Sequence, residues 1–178
     1  MALSQAFHDR AQELMSRYPR KRSALIMVLH EAQDEVGYLS AEAIREVAKV
    51  MDLTPADVAG VATFYSMFKM RNPGRYLISL CTNVSCAVWG ADETAEKLKE
   101  LIGPANEPTE DGLMSWEPVE CLAFCDWAPI AQLNSRDIPQ LTPERAEQLV
   151  ASLRAGTPME EILDEFRKAG AVGEHADA

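Results

Sequence analysis

A chain of 178 residues with 47% apolar content can fill one ordinary core, or a compact domain with a smaller appendage, so an ordered globular protein is expected. The formal net charge of −11 argues against a nucleic-acid binder, which needs a basic surface. No apolar run approaches the roughly eighteen residues that cross a bilayer, and the first ten residues lack a basic-then-apolar signal pattern, so a cytoplasmic location is expected.

Taken in order, Leu3, Phe7, Ala11 and Leu14 recur every three or four residues, which predicts one apolar helical face ended by Pro19. Leu25, Val28, Leu29, Ala32 and Val36 repeat the pattern from about Ser23, with Gly37 placed for a left-handed C-terminal cap. Ile44, Val47, Ala48 and Met51 make a third stripe from about Ser40. Thr54, Pro55 and Asp57 then supply a cap, a first-turn proline and a first-turn acid for a fourth helix.

The turn signal NPG (72–74) marks a boundary, because beyond it the apolar period shifts from 3.6 toward 2. Residues 76–80 read as a buried strand that delivers the chain to Cys81. Ala91, Ala95, Leu98 and Ile102 define a helix stopped by Gly103 and Pro104. A polar, acidic loop over 106–112 leads to a second strand over 113–119, which delivers the chain to Cys121. Residues 129–133 read as a third strand, 134–137 as a turn, and 138–141 as a short fourth strand whose Pro139 favours a sheet edge. Thr142 and Pro143 open a helix with Ala146, Leu149, Val150 and Leu153 on one face, ending at Gly156. Thr157 and Glu160 form a capping box before Ile162, Leu163 and Phe166, and fraying is expected from about Gly170.

Charge is distributed unevenly across that boundary. Residues 1–73 carry nine Lys/Arg and nine Asp/Glu, whereas residues 74–178 carry eight against nineteen, so the whole acidic excess lies in the second part. All four cysteines lie there too, as two tight pairs, Cys81 with Cys86 and Cys121 with Cys125, each just after an expected strand end. Loops at the carboxyl ends of strands are where α/β layers place their chemistry.

Four thiols in a reducing compartment point to a metal rather than to disulfides. Thiolates are soft ligands that select zinc or an iron-sulfur cluster over magnesium or calcium. Structural zinc commonly uses cysteines two residues apart on tight knuckles, since all four sulfurs must wrap one ion. Here four residues separate the first pair and three the second. A two-iron cluster suits such wider bites, because each iron takes two thiolates and the bridging sulfides hold the pairs apart. The second pair departs from the plant-type ferredoxin spacing, and the histidines His8, His30 and His175 lie far from either pair, which disfavours Rieske ligation. Spacing alone leaves a 2Fe-2S cluster and a zinc site both open.

The stretches CTNVSCAVWG (81–90) and ECLAFCDWAP (120–129) resemble the cluster loops of the thioredoxin-like 2Fe-2S subunit of bacterial NADH-quinone oxidoreductase, the respiratory complex I. HEAQDEVGY (30–38) and VAGVATFY (58–65) resemble the N-terminal motifs of the same family, so the likeness covers about residues 5–158. It implies an α+β chain: a helical bundle over 1–73, a thioredoxin-like α/β domain over 74–156 that carries the cluster, and a C-terminal helix with a tail over 157–178. It also implies that Cys81 and Cys86 ligate one iron, and Cys121 and Cys125 the other. The chain departs from the family where glycine is usual near Ala123 or Phe124 and near Asp126, and in the strand region over 135–140.

The implied role is one-electron transfer as a subunit of NADH-quinone oxidoreductase, in its peripheral arm on the cytoplasmic face of the inner membrane. The implied neighbour is the flavoprotein that carries FMN and the NADH site, and this chain has no glycine-rich phosphate loop of its own. Related subunits serve NAD-dependent hydrogenases and formate dehydrogenases. An interaction domain built on a four-cysteine zinc site is the alternative of a different class. Carboxylates such as Glu120 and Asp126 beside the ligands oppose the addition of negative charge and predict a low potential. Trp89 and Trp127 are read first as packing residues, with shielding or docking as the alternative, and His30 as structural. The aromatic and methionine-rich segment 64–70 is read as core packing for most of its members, with partner docking as the alternative.

Overall fold

The computed structural model describes residues 3–171, and the chain divides into two compact units, Met1–Asn72 and Pro73–Ala178. The tail from 172, with His175, lies outside the described residues, as does most of the stretch expected to fray.

The first unit is helical: α1 Gln5–Ser16, α2 Leu25–Val36 entered through a short 3-10 turn, α3 Ala41–Met51 and α4 Pro55–Phe64. Local chemistry fixes the ends. Ser4, Ser40 and Thr54 each accept a backbone N–H of the following first turn, and Gly37 closes α2 at φ 81°, a left-handed angle that glycine adopts without a Cβ penalty. Phe7, Ala11, Leu14, Val28, Leu29, Ala32, Val47, Ala48 and Val58 meet in one buried core. Each fully buried Leu or Val there contributes about 1.5–3 kcal/mol over exposure.

The second unit holds a four-stranded mixed sheet in the order β2-β1-β3-β4, built from β1 Tyr76–Cys81, β2 Met114–Val119, β3 Ala131–Leu133 and β4 Arg136–Ile138. β1 and β2 run parallel, with Tyr76 opposite Met114 and Cys81 opposite Val119, while β3 pairs antiparallel with both β1 and β4. The helices are α5 Val84–Val88, α6 Ala91–Ile102, α7 Pro143–Arg154 and α8 Met159–Ala171. α6 packs on α7, and α8 packs on β4 and α7, so Ile162, Leu163 and Phe166 join Ile78, Leu80, Leu98, Leu133 and Leu149 in one core. One face of the C-terminal helix is thus part of this unit's core.

The region after β3 differs from the sequence expectation. The connection is a two-residue hairpin, with Asn134 at φ 47° and Ser135 at φ 65°, and β4 starts at Arg136. Paired left-handed residues give the mirror-image turn whose twist matches antiparallel strands. Asn134 also bonds across the sheet, accepting from Leu77 N–H (2.8 Å) and donating to the Arg75 carbonyl (3.0 Å). Arg136 and Asp137 read as turn residues because β4 is an edge strand with polar side chains, and Pro139 falls just after it.

Candidate functional site

β1 and β2 end side by side, and each releases a cysteine loop. Cys81 is the last residue of β1; its N–H donates to the Ile130 carbonyl (3.0 Å), and the next N–H, of Thr82, donates to Val119 (3.1 Å). Asn83 then caps α5, accepting from the Val84 N–H (2.8 Å). This five-residue helix was not expected, because a single turn is too short to show an apolar period. It turns Cys86 inward and leaves Val84, Val88 and Trp89 on the surface.

The second loop is built differently. Cys121 lies two residues beyond β2, and the Ala123 N–H points back at its sulfur, 3.3 Å from Sγ. Ala123 itself sits at φ 64°, in the left-handed region. A 3-10 turn, Cys125–Trp127, follows, and the Ala128–Pro129 peptide is cis. The exit is anchored by Gln140 N–H to the Trp127 carbonyl (3.0 Å) and Leu141 N–H to the Pro129 carbonyl (2.7 Å).

The four thiols are free, and the two pairs differ in environment. Cys81 and Cys86 are each 2% exposed and pack with Ala91 and Ile130, whereas Cys121 and Cys125 are exposed. Burial pushes the Cys86 thiol up to about 11. A hydrogen bond with Cys81 and the nearby Cys81 and Cys125 sulfurs act in the same direction, against a backbone hydrogen bond from Ile130. Cys81 and Cys125 therefore each lie within electrostatic reach of Cys86, and the Cys121 sulfur accepts the Ala123 N–H.

Among the described residues, no three His, Cys, Asp or Glu side chains converge closely enough to hold a single metal ion. A two-iron group asks for a different arrangement: two sulfurs on each of two loops, with backbone N–H donors near them. The donor set here has that form, with four free thiols and an N–H aimed at one sulfur, so the residues present fit such a group.

Other residues marked in the sequence are accounted for nearby or elsewhere. Trp127 and Phe124 pair at 6.1 Å and Trp89 is 68% exposed, so both tryptophans sit at the surface in the cysteine loops. His30 packs against Phe68 with ring centroids 4.9 Å apart and planes tilted by 54°, and His8 hydrogen-bonds to the Ser4 carbonyl, both in the first unit. In the segment after α4, Phe68 is buried, but Phe64, Tyr65, Met67 and Met70 are exposed, so packing claims fewer of them than expected. Sequence reasoning passed over Asn83, although an asparagine directly before a helical turn is a recognisable cap.

Comparison with known proteins follows the same lines. A family model described as thioredoxin-like [2Fe-2S] ferredoxin matches residues 11–154. An NADH-quinone oxidoreductase subunit of Mycobacterium tuberculosis (strain ATCC 25618 / H37Rv) is 44% identical over 149 residues, which are 83% of this chain and 59% of that protein. NADH-quinone oxidoreductase subunit 2 of Thermus thermophilus is 39% identical over 158 residues, 86% of this chain and 87% of its own length. This chain thus spans less than two thirds of the mycobacterial relative's length. Among solved structures, a chain of an NAD+-reducing [NiFe]-hydrogenase in the air-oxidized state aligns with TM-score 0.71 and 27% identity, over 80% of this chain and 24% of that one. With a family model covering most of its length and a relative matched nearly end to end, the chain belongs to the thioredoxin-like [2Fe-2S] ferredoxin family.

Proposed function

We propose that this chain carries single electrons through one 2Fe-2S cluster as a subunit of an NADH-quinone oxidoreductase. Cys81 and Cys86 hold one iron, and Cys121 and Cys125 hold the other. The observation that carries the reading is the pair of cysteine loops leaving adjacent parallel strands, with Cys81 in register with Val119. When bound, the cluster supplies a site that gains and loses one electron without making or breaking a bond to substrate.

The chain's own residues provide the setting. Ala91 and Ile130 keep water from the Cys81 and Cys86 side. The Ala123 N–H places positive charge density at the Cys121 sulfur, which favours the more negative, reduced state. Glu120 and Asp126 act the other way, and the acidic second unit as a whole favours a low potential. Such a potential suits acceptance of electrons from reduced flavin. FMN and the NADH site belong to a neighbouring flavoprotein in the peripheral arm, on the cytoplasmic side. Among the described residues, no helix is long and apolar enough to cross a membrane.

Iron and acid-labile sulfide analysis of anaerobically purified protein tests the cofactor. Two irons and two sulfides per chain are expected; a colourless protein with one zinc and no sulfide overturns the reading. The same role in an NAD-dependent hydrogenase or formate dehydrogenase would use the same cluster loops. Capture of the native partner and assay with NADH, hydrogen or formate separates these, with NADH-driven quinone reduction expected.

A further inference from the structure

The two ligand loops are joined to each other by more than the sheet beneath them. Beyond the Thr82–Val119 bond, the Asn83 side chain reaches across, and its Nδ2 donates to Glu120 Oε2 at 3.0 Å. Its other atom, Oδ1, is already engaged by the Val84 N–H at 2.8 Å, the cap of the helix that positions Cys86. Glu120 immediately precedes Cys121. One amide thus links the helix carrying one ligand to the residue adjoining another, across 37 positions of sequence.

We propose that Asn83 and Glu120 are positioning residues: their hydrogen bond is a latch that fixes the separation of the two loops independently of the cluster's own bonds. The inference rests on the proposed ligand set. Its physical basis is that a bridging group held between two loops is lost when the loops part. Cys121 and Cys125 are exposed, and the helix holding Cys86 is one turn long. A hydrogen bond to a charged acceptor is stronger than a neutral one, which suits a single contact to the task.

Reversing the polarity of the pair separates a latch from a charge effect. Asn83→Asp keeps the cap acceptor but removes the donor and sets two carboxylates face to face. Asn83→Ser also keeps an acceptor for Val84 but is too short to reach Glu120. Combining N83D with E120Q restores a donor and an acceptor in reverse, with the net charge of the original pair. The readouts are the rate at which a chelator bleaches the cluster under anaerobic conditions, the EPR line shape of the reduced cluster, and the thermal midpoint.

N83D and N83S are expected to speed bleaching by roughly fivefold or more and to broaden the signal. The N83D/E120Q chain is expected to return to within about twofold of the original rate; the thermal midpoint of N83S and of the reversed pair is expected to stay close to the original, the contact being exposed, and that of N83D to fall with its facing carboxylates. Unchanged bleaching in N83S, or a reversed pair as labile as N83D alone, overturns the latch. A parent chain that holds no cluster would instead overturn the ligand assignment, so the two failures are distinguishable.

Discussion

At the scale of single residues, the second cysteine loop carries the clearest tension between chemistry and backbone. Three positions there depart from the glycines expected of the family, but only one bears a conformational cost. Ala123 sits at φ 64°, whereas Phe124 is at φ −119° and Asp126 lies outside the left-handed region. A non-glycine residue in that region costs of order 1–3 kcal/mol, part of which glycine gives back through its greater freedom in the unfolded chain. Ala123→Gly should therefore stabilise the protein by about 0.5–1 kcal/mol in denaturant unfolding, and Ala123→Val should destabilise it; an unstable glycine variant would contradict the strain. Asp126 acts through charge instead. Asp126→Asn removes a negative charge close to the proposed ligands and should raise the midpoint potential by a few tens of millivolts, the exposed carboxylate being partly screened. An unchanged or lower potential would remove the charge argument. The four cysteines were legible because no other thiols compete with them; the strain was legible only as a missing glycine near Ala123 or Phe124, since which of the two takes the left-handed angle leaves no mark in either residue's identity.

At the scale of elements, the long helices and the two loop-bearing strands could be read from period and punctuation. The helices α1, α3 and α4 carry capping residues, α2 shows three-to-four spacing up to Gly37, and β1 and β2 lie between turn signals. The elements misread are the shortest ones. α5 is a single turn, and β4 is three residues of a polar edge, both below the length at which a period can be counted. A link between elements was also invisible in sequence. Thr94 on α6 is fully buried, and its Oγ donates to the Leu141 carbonyl at 2.8 Å, while Leu141 N–H holds Pro129 at the exit of the second cysteine loop. Thr94→Val keeps the shape but deprives that carbonyl of its donor, at a cost of about 1–3 kcal/mol. Chemical denaturation is expected to show that loss, and a neutral effect would mean the carbonyl finds another partner.

At the scale of the whole molecule, the uneven charge distribution was visible in composition, and its consequences follow from which carboxylates are held. Hydrogen bonds hold several of them below their ordinary values, among them Glu13 through Arg10 and Arg17, Asp57 through the Thr54 hydroxyl, Asp111 through Thr109, and Glu144 through the first-turn N–H and Thr142. A carboxylate with a depressed value in the folded state contributes stability above its unfolded value, here 3.8 for Asp and 4.5 for Glu, and loses it as pH falls through the folded value. The thermal midpoint should therefore hold from neutrality to about pH 5 and fall below about pH 4.5; a flat profile to pH 3 would contradict this.

Function at this scale rests on one claim, that the paired loops of the second unit hold a two-iron cluster which passes one electron. Its most direct test is EPR of the dithionite-reduced protein, set beside Cys81→Ser and Cys121→Ser, one change in each loop. The account predicts a signal of one unpaired electron for every two irons, altered or abolished by either serine substitution. An EPR-silent, iron-free protein, or a signal indifferent to both substitutions, would contradict it.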